Sequence, residues 1–523
     1  MGDAILSITQ KSQSPNFVIV MADQLTAPAV GAYGNDVVRT PHMDALAKDG
    51  VLFENAYCNS PLCAPSRFSM MSGQLPSRIG AYDNAAEFPA NIPTFAHYLR
   101  DMGYQTCLSG KMHFIGPDQL HGFEERLTTD IYPADFGWTP DWEAETQRVD
   151  WWCHNLSSVT QAGIAETTNQ LKFDDEVGYQ SICKIYDLAC TDDPRPFMLM
   201  ASFTHPHDPY ATRKRYWDRY DQGDINLPTV AAMDYADLDP HSQRIHDLCA
   251  MGEKNLSEED IRNARHAYYG NVSYFDDWLG KIVQTLDETG LRENTIVIVI
   301  SDHGDMLGER GLWFKMSFFE WSTRIPMIIS APERFSQKRI LRNVSLLDLL
   351  PTMVDLAAVE KDEIPEFVDH LDGRSLARML TGEAAGDTDE VIGEILGEGA
   401  VAPCMMIRRG RYKYIHSDPD PVQLYNLSDD PNELYNLAGS PDVAEVESGF
   451  AEEIRARWDS AALRLKVIAD QKRRRKVFAA LSKGTHASWD YHCTPDASKQ
   501  FMRNHLDLND LERKTRYPHP QEG

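Results

Sequence analysis

The pattern of hydrophobic and polar positions predicts buried strands that alternate with amphipathic helices through most of the chain. Two segments carry a helical period, Ile92–Met102 and Glu258–Thr289. Strands alternating with helices are typical of an α/β fold with helices on both faces of the sheet. Five short runs rich in apolar and β-branched residues have the length of buried strands: Phe17–Met21, Tyr104–Leu108, Phe197–Phe203, Thr295–Ile300 and Ile325–Ile329.

The pattern changes after about residue 380, beyond which the segments become shorter and more polar. A small polar linker covers Glu383–Asp389. Apolar residues from Val443 to Ile468, with Trp458 and Leu465 among them, then recur at steps of three and four and predict one long helix. Between the linker and this helix lie three predicted antiparallel strands, Val391–Leu396, Cys404–Arg408 and Arg411–His416.

These boundaries divide the chain into three predicted parts. They are a larger N-terminal domain over 1–382, a smaller C-terminal α+β domain over 383–480, and an extended tail over 481–523. The basic run Lys472–Lys476 is expected on a solvated helix face. The aromatic residues Trp489, Tyr491 and Phe501 need a surface to cover them, and a neighbouring subunit is one candidate.

Length and charge narrow the classes of function. A chain of 523 residues exceeds the size of one ordinary core, so two domains are expected. The 79 acidic residues outnumber the 51 basic ones and give a net charge of −28. Nucleic acid is therefore excluded as the main partner, because phosphate binding needs a basic surface. The acidic balance either serves solubility or favours a substrate with a cationic end.

Cysteine usage and the N-terminus bear on the compartment. The nine cysteines have no repeated spacing, so a reducing compartment is favoured over a disulfide framework. The first residues lack the basic start and apolar run of a signal peptide, and Leu6 does not fit a myristoylation pattern. No apolar stretch is long enough to cross a bilayer. We expect a soluble, cytoplasmic protein without a membrane partner.

Polar clusters follow four of the predicted strands. Ligands of open α/β sheets bind beyond the carboxyl ends of the strands, where these clusters lie. Any one cluster could simply cap a helix, but four that combine carboxylates, histidines and a lysine predict an active site. The clusters are Asp23-Gln24, Gly110-Lys111-Met112-His113, His205-Pro206-His207-Asp208 and Asp302-His303-Gly304-Asp305.

A fifth element is the pattern Cys-x-Pro-x-Arg at Cys63–Arg67. Pro65 suits the first turn of a helix, which places residue 63 at a helix N-terminus, where free N–H groups attract an anion. Taken alone, Cys63 could equally be a small core residue.

The Cys63–Arg67 motif and the strand-end clusters resemble those of the sulfatases of the alkaline-phosphatase superfamily. This resemblance implies a large mixed sheet flanked by helices in a catalytic N-terminal domain. It also implies that a maturation enzyme converts Cys63 to formylglycine. One hydroxyl of the hydrated aldehyde attacks sulfur and expels the alcohol, and deprotonation of the other releases sulfate and restores the aldehyde.

The same resemblance assigns a metal shell and a set of catalytic roles. The metal ligands are Asp23, Cys63, Asp302 and His303. The expected ion is Ca²⁺, with Mn²⁺ or Mg²⁺ as alternatives, because carboxylates suit hard cations. Arg67 would stabilise the hydrated aldehyde, Lys111 and Lys315 would hold sulfate oxygens, His113 would be the base and His205 the acid that protonates the leaving alcohol.

One residue departs from the pattern of many sulfatases, which have two adjacent acids where this chain has Asp23-Gln24. The change leaves the metal's identity and affinity open. The choline sulfatases share the Asp-Gln pair, and the resemblance to them runs from Pro15 to Pro518, including SFTHPHDPY and DHGDMLGERGLWFKM. It implies hydrolysis of choline O-sulfate by a homo-oligomer, a dimer or tetramer, in which the tail helps to close a neighbour's pocket.

A quaternary ammonium group donates no hydrogen bond, so aromatic faces and carboxylates recognise it. The Trp-rich segment with Trp138, Trp142, Trp151 and Trp152 suits this purpose, although these residues could equally pack the segment itself. The resemblance assigns the substrate pocket to Asn84, Trp138, His154 and Glu398.

Two alternatives remain open at this stage. An arylsulfatase or phosphonate monoester hydrolase of the same superfamily would use the same catalytic residues, so only the Trp138–His154 segment separates it from a choline sulfatase. A non-catalytic binding protein on the same scaffold is disfavoured by the intact set of Cys63, Arg67, Asp302 and His303.

Overall fold

The structure, a computed structural model, describes residues 14–144, 148–150, 152–360, 363–383, 389–486, 489–493, 501 and 507–518. The strands are β1 (Asn16–Asp23), β2 (Val51–Tyr57), β3 (Gln105–Gly110), β4 (Glu125–Arg126), β5 (Gly163–Ile164), β6 (Phe197–Pro206), β7 (Ala211–Thr212), β8 (Thr295–Ser301), β9 (Arg324–Ile325), β10 (Met327–Ser330), β11 (Lys338–Ser345), β12 (Glu390–Ile395), β13 (Cys404–Arg409), β14 (Tyr412–Ser417) and β15 (Gln423–Asn426). The α-helices are α1 (Pro41–Asp49), α2 (Cys63–Ser72), α3 (Pro76–Ile79), α4 (Phe95–Asp101), α5 (Ser157–Thr160), α6 (Asn169–Cys190), α7 (Lys214–Trp217), α8 (Pro240–Leu248), α9 (Glu258–Glu288), α10 (Glu320–Thr323), α11 (Leu349–Ala357), α12 (Ala377–Thr381), α13 (Ala444–Arg457), α14 (Ser460–Leu481) and α15 (Leu508–Thr515).

A nine-stranded mixed sheet forms the centre of the molecule. Its order is β11-β2-β10-β8-β1-β6-β3-β4, with the short β9 paired to β2. β1 pairs in parallel with both β6 and β8, whereas β10 runs antiparallel to β8 and β2. The predicted α/β class with a large mixed sheet is confirmed.

Alternate side chains of β1 enter two different cores, one on each face of the sheet. Val18 and Val20 lie in the core that contains α6 and α9, and Phe17 and Ile19 lie in the core that contains α2, α4 and α11. A strand covered on both faces reads as one apolar run, which is why the sequence predicts it well.

A second, antiparallel sheet of β12-β13-β14-β15 follows in the chain. Asn343 at the end of β11 donates its backbone N–H to Asp389 Oδ1 at the start of this sheet (2.7 Å). Three of its strands match predicted ones, and β15 was not predicted. The predicted linker falls largely on 384–388, which lie outside the described residues.

The predicted long helix from Val443 to Ile468 is wrong, because two helices, α13 and α14, occupy this span. Trp458 between them has an extended backbone, and its indole N–H donates to the buried Glu394. Asp459 then caps the first turn of α14 by accepting from the N–H of Ala462. Leu465, predicted on the apolar face, is 67% exposed.

The tail's described residues contact their own chain. Trp489 packs edge-on against Phe136, and Tyr491 lies beside the guanidinium of Arg126. Phe501, by contrast, is exposed. Within the described ranges, no helix combines the length and apolar character needed to cross a membrane.

Candidate active site

Four predicted metal ligands converge at the carboxyl edge of the large sheet. Asp23 ends β1, Asp302 and His303 follow β8, and Cys63 begins α2. Their ligand atoms lie within 4.8 Å of one another and all four residues are buried. We call these four residues the metal cluster. Parallel neighbours β1 and β8 bring their ends together, so residues 279 positions apart in sequence (302 less 23) become adjacent.

Two buried cations accompany the carboxylates of the metal cluster. Arg67 Nε lies 2.9 Å from Asp302 Oδ2, and its Nη2 lies 3.4 Å from Asp23 Oδ2. Lys111 forms an ion pair with the same Asp23 oxygen. Burial and Cys63 act to raise the pKa of Asp23, but Lys111, His207 and Arg67 outweigh them and lower it to about 2. Asp23 is therefore ionised.

The Cys63 thiol lies among positive groups at the start of a fully buried helix. Its Sγ is 3.3 Å from Lys315 Nζ and 3.3 Å from His303 Nε2. Burial alone would raise the pKa of this thiol, but Lys111, Lys315 and His303 outweigh burial and lower it well below its usual value. In a formylglycine-containing enzyme, the position of Sγ is that of the aldehyde-derived oxygens.

Cys63 opens into a cavity of about 420 Å³. Lys315 and His113 line it together with Cys63. Burial lowers the pKa of the His113 ring, which favours its neutral form. Both ring nitrogens of His113 lack a hydrogen-bond partner among the described residues. A neutral ring with an unoccupied nitrogen can accept a proton.

Aromatic faces and the carboxyl group of Glu398 line the same cavity, as does Asp208, which is paired with His154 and His207. Trp138 and Trp152 stack with ring centroids 6.0 Å apart. Glu398 is 3% exposed, and its Oε2 has no hydrogen-bond partner in the described part of the chain. Its Oε1 accepts from the N–H of Asn84 (3.3 Å). We call Trp138, Trp152 and Glu398 the aromatic–carboxylate group.

The donor set of the metal cluster fits a divalent cation. Two carboxylates and one imidazole face a common point with residue 63, and carboxylate oxygens are the ligands that hard cations prefer. The donor set indicates a divalent cation without selecting one metal, because an imidazole nitrogen is compatible with several divalent metals.

Comparison with known proteins agrees with this geometry. The family model described as "Sulfatase" matches residues 15–359, and the one described as "Choline sulfatase enzyme C terminal" matches 465–517. The chain belongs to the sulfatase family. It is 47% identical over 511 residues to the choline-sulfatase of Rhizobium meliloti (strain 1021), which covers 96% of this chain and 98% of that protein.

This sulfatase also matches an arylsulfatase at lower identity, and a phosphonate monoester hydrolase of known structure has a similar fold. The arylsulfatase of Clostridium perfringens is 29% identical over 453 residues, 79% of this chain and 90% of that protein. The crystal structure of the phosphonate monoester hydrolase of Agrobacterium radiobacter superposes with a TM-score of 0.66 at 24% identity, over 87% of this chain and 96% of that one. The structural likeness supports the fold.

Most residues predicted for the site of this sulfatase come together. Asp23, Arg67, Lys111, Asp302 and His303 form buried contacts behind Cys63. The predicted residues that line the cavity are Cys63, Asn84, His113, Trp138, His154, Lys315 and Glu398.

His205 is the exception among the predicted catalytic residues and requires a correction. β6 extends to Pro206, beyond its predicted end at Phe203, so the side chain of His205 points the same way as that of Phe203, towards α6 and α9. Its Nδ1 lies 2.6 Å from Asp174, and its ring packs edge-on against Tyr274. It is absent from the described lining of the cavity, where His207 is found instead.

The two remaining tryptophans of the Trp-rich segment are not among the described residues that line the cavity. Trp142 is a core residue, 3% exposed, whose indole N–H donates to the carbonyl of Gly397 (3.1 Å). Trp151 lies outside the described residues.

A hydrogen-bond and ion-pair network centred on Asp208 was not predicted from the sequence. His154 Nδ1 lies 3.1 Å from Asp208 Oδ2, and His207 Nδ1 lies 3.2 Å from its Oδ1. His207 Nε2 is 2.8 Å from Lys315 Nζ, which also contacts Gln24 Oε1 at 2.8 Å. The motif His205-Pro206-His207-Asp208 contains two of these residues. Which of its two histidines faces the cavity depends on where β6 ends.

Proposed function

We propose that this sulfatase hydrolyses choline O-sulfate to choline and sulfate. One observation carries the proposal: a cavity that contains Cys63 and Lys315 also contains the aromatic–carboxylate group. The first pair suits a sulfate ester, and the second suits a quaternary ammonium group. The relationship to a choline-sulfatase over nearly the whole chain supports the same substrate.

The electrostatics of Glu398 favour a cationic ligand. Burial, followed by the charge of Asp83, raises the pKa of Glu398 to about 8. A buried carboxylate without a cation is costly, and a trimethylammonium group beside it would offset that cost. Without such a ligand, Glu398 therefore favours its protonated, neutral form.

Residue 63, as formylglycine, is proposed as the nucleophile, and the metal cluster would hold a divalent cation, with Ca²⁺ as the expected ion. The cation would supply charge stabilisation to the sulfate oxygens and to the nucleophile. Arg67 joins the two carboxylates of Asp23 and Asp302 and so fixes the ligands. Its predicted role beside the hydrated aldehyde is part of this proposal.

Proton movements can be assigned to cavity residues. Neutral His113 would accept the proton whose loss releases sulfate from residue 63. Lys315 lies between Cys63 and His207, so it would bind a sulfate oxygen, and the Lys315–His207 pair would deliver a proton to the leaving alcohol. Lys111 is proposed as the second lysine on the sulfate. His207 takes the role first assigned to His205.

We also propose a division into domains, an oligomeric assembly and a compartment. The region 1–382 would be the catalytic domain, 383–480 the smaller domain, and 481–523 a tail that joins a homo-oligomer. Exposed Phe501 supports such a contact. The nine free cysteines are consistent with a reducing, cytoplasmic compartment, where a maturation enzyme would act on Cys63.

The test is turnover of choline sulfate against an aryl sulfate and a phosphonate monoester by the same mature preparation. Formylglycine content would be quantified by mass spectrometry of the peptide around residue 63. The proposal expects the highest kcat/KM on choline sulfate. A higher kcat/KM on the aryl sulfate or the phosphonate ester would replace this proposal with the corresponding relative's activity.

A further inference from the structure

The basic run Lys472–Lys476 does not lie wholly on a solvated face. Arg474 is 4% exposed, and it faces the N-terminal part of the chain. Its two terminal nitrogens lie 2.7 and 2.6 Å from the two carboxylate oxygens of Asp83. Asp83 is fully buried, so the pair is a two-pronged ion pair inside the protein.

Asp83 immediately precedes Asn84, which connects the nucleophile to Glu398. Asn84 Oδ1 accepts from the N–H of Ala64 in the first turn of α2 (3.0 Å). The N–H of Asn84 donates to Glu398 Oε1 (3.3 Å). The position of this one residue therefore affects both parts of the cavity.

Arg474 also reaches the turn that carries Trp138. Its Nη1 donates to Thr139 Oγ1 (3.1 Å), and Thr139 closes that turn by donating to the carbonyl of Phe136. One side chain on α14 thus holds the segments next to Asn84 and next to Trp138.

The loop of Glu398 lies directly on Asp83. A Cβ atom built on Gly397 would be 2.8 Å from Asp83 Cβ, so only glycine permits this approach. Gln471, one turn before Arg474, accepts from the N–H of Trp142, whose indole donates to the carbonyl of Gly397. Consecutive turns of α14 therefore support three segments that carry Asn84, Trp138 and Glu398.

We propose that Arg474, which is not among the described residues lining the cavity, is a positioning residue that sets the preference for a cationic substrate. Arg474 neutralises Asp83 and thereby leaves Glu398 as the carboxyl group available to the ligand. It also fixes the Asn84 and Trp138 segments relative to each other. This inference rests on the proposed function and adds a specificity determinant to it.

Removal of Arg474 would change the charges around Glu398. Loss of the guanidinium would leave the Asp83 carboxylate buried without a cation, with the N–H of Ala85 still donating to it, which is a strongly unfavourable state. The chain can relieve that state by moving the loop of Asp83 and Asn84, and Glu398 loses its backbone donor when Asn84 moves. Binding of the cation is then weakened, while the contacts of the metal cluster do not involve Arg474.

The test is a double-mutant cycle of Arg474→Gln and Asp83→Asn, measured on choline sulfate and on an aryl sulfate. We expect Arg474→Gln to raise KM for choline sulfate about tenfold, with kcat and the aryl sulfate rate little changed, since coupled buried pairs contribute on this scale. The doubly neutral variant restores an uncharged side-chain pair, and we expect KM to return towards the wild-type value. Arg473→Gln, on the exposed neighbour, is the matched control.

The outcomes separate this inference from the proposed function. A wild-type enzyme that prefers the aryl sulfate overturns the proposed function itself. A wild-type preference for choline sulfate that Arg474→Gln leaves unchanged, or an equal loss on both substrates, overturns only the positioning role. If Arg474→Gln does not fold, Arg474→Lys decides, because it keeps the charge and loses the two-pronged pair with Asp83. A KM raised for choline sulfate alone supports the role, and an unchanged KM contradicts it.

Discussion

The metal cluster and the aromatic–carboxylate group are built in opposite ways. In the metal cluster, each carboxylate has a cation within 3.4 Å, and its residues come from strand ends and from the first turn of α2. In the aromatic–carboxylate group, Glu398 has an oxygen without a partner in the described structure. The carboxylates of the metal cluster therefore have cationic side chains beside them, whereas Glu398 has an unpartnered oxygen that a cationic ligand would contact.

This difference separates the residues proposed for catalysis, in the metal cluster, from those proposed for substrate selection, in the aromatic–carboxylate group. The residues at the sheet edge form the site proposed to cleave a sulfate ester. The loop residues supported by α14 are the ones proposed to select the alcohol part of the substrate. Substitutions in the two groups should therefore have different effects on the hydrolysis of different sulfate esters.

The largest effect is expected at residue 63 in the metal cluster. Cys63→Ala removes the nucleophile, and we expect turnover of every sulfate ester to fall by roughly 10⁶-fold, as for other nucleophile deletions. Cys58→Ala is a matched control, because this buried cysteine lies outside the cluster. Multiple turnovers by the alanine variant, with circular dichroism showing an intact fold, would remove residue 63 from the mechanism.

The next effect tests whether His207, and not His205, protonates the leaving alcohol. His207→Ala should slow choline sulfate hydrolysis by about 10²-fold, the usual scale for a general acid. An aryl sulfate should lose much less, because its leaving group needs less protonation. His205→Gln serves as the comparison and should lower thermal stability more than kcat. If His205→Gln instead lost the acid-dependent rate and His207→Ala kept it, the assignment would be reversed.

A smaller and more selective effect is expected for Trp138→Ala. The lost aromatic face contributes about 0.5–2 kcal/mol to binding a cation. We therefore expect kcat/KM on choline sulfate to fall from about twofold to about thirtyfold, mainly through KM. Hydrolysis of an aryl sulfate, which has no cation, should change little. Equal losses on both substrates would make Trp138 a packing residue.

The smallest effect concerns pH and the carboxyl group of Glu398. With a pKa of about 8 in the free enzyme, Glu398 is mostly protonated at pH 7 and must release a proton when a cation binds. Choline affinity should therefore rise with pH, by at most about tenfold per pH unit, and level off above about pH 8. Calorimetry in two buffers would detect the proton released. In Glu398→Gln this pH dependence should disappear, and its persistence would assign it to another group.

Local patterns predict the sheet and the polar residues at its strand ends, whereas the choice of Asp23, Cys63, Asp302 and His303 as a metal shell came from the resemblance to sulfatases. β1 and β8 are continuous apolar runs, and each is followed at once by its ligand residues. The sequence ended β6 at Phe203 and so did not show that His205 still lies within the strand, on the face of Phe203 and outside the described lining of the cavity. The break at Trp458 and the burial of Arg474 depend on Glu394 and Asp83, partners that are remote in the chain and leave no local signal.

The most direct test of the account compares choline sulfate with its neutral carbon isostere, 3,3-dimethylbutyl sulfate. The two esters share size and leaving-group type and differ in the charge that Glu398 and Trp138 would recognise. The account predicts a kcat/KM about tenfold or more higher for choline sulfate, on the scale of a desolvated cation–π contact and a buried charge pair. This advantage should shrink in Glu398→Gln. Equal kcat/KM values for the two esters in the wild-type enzyme would contradict recognition of the cation.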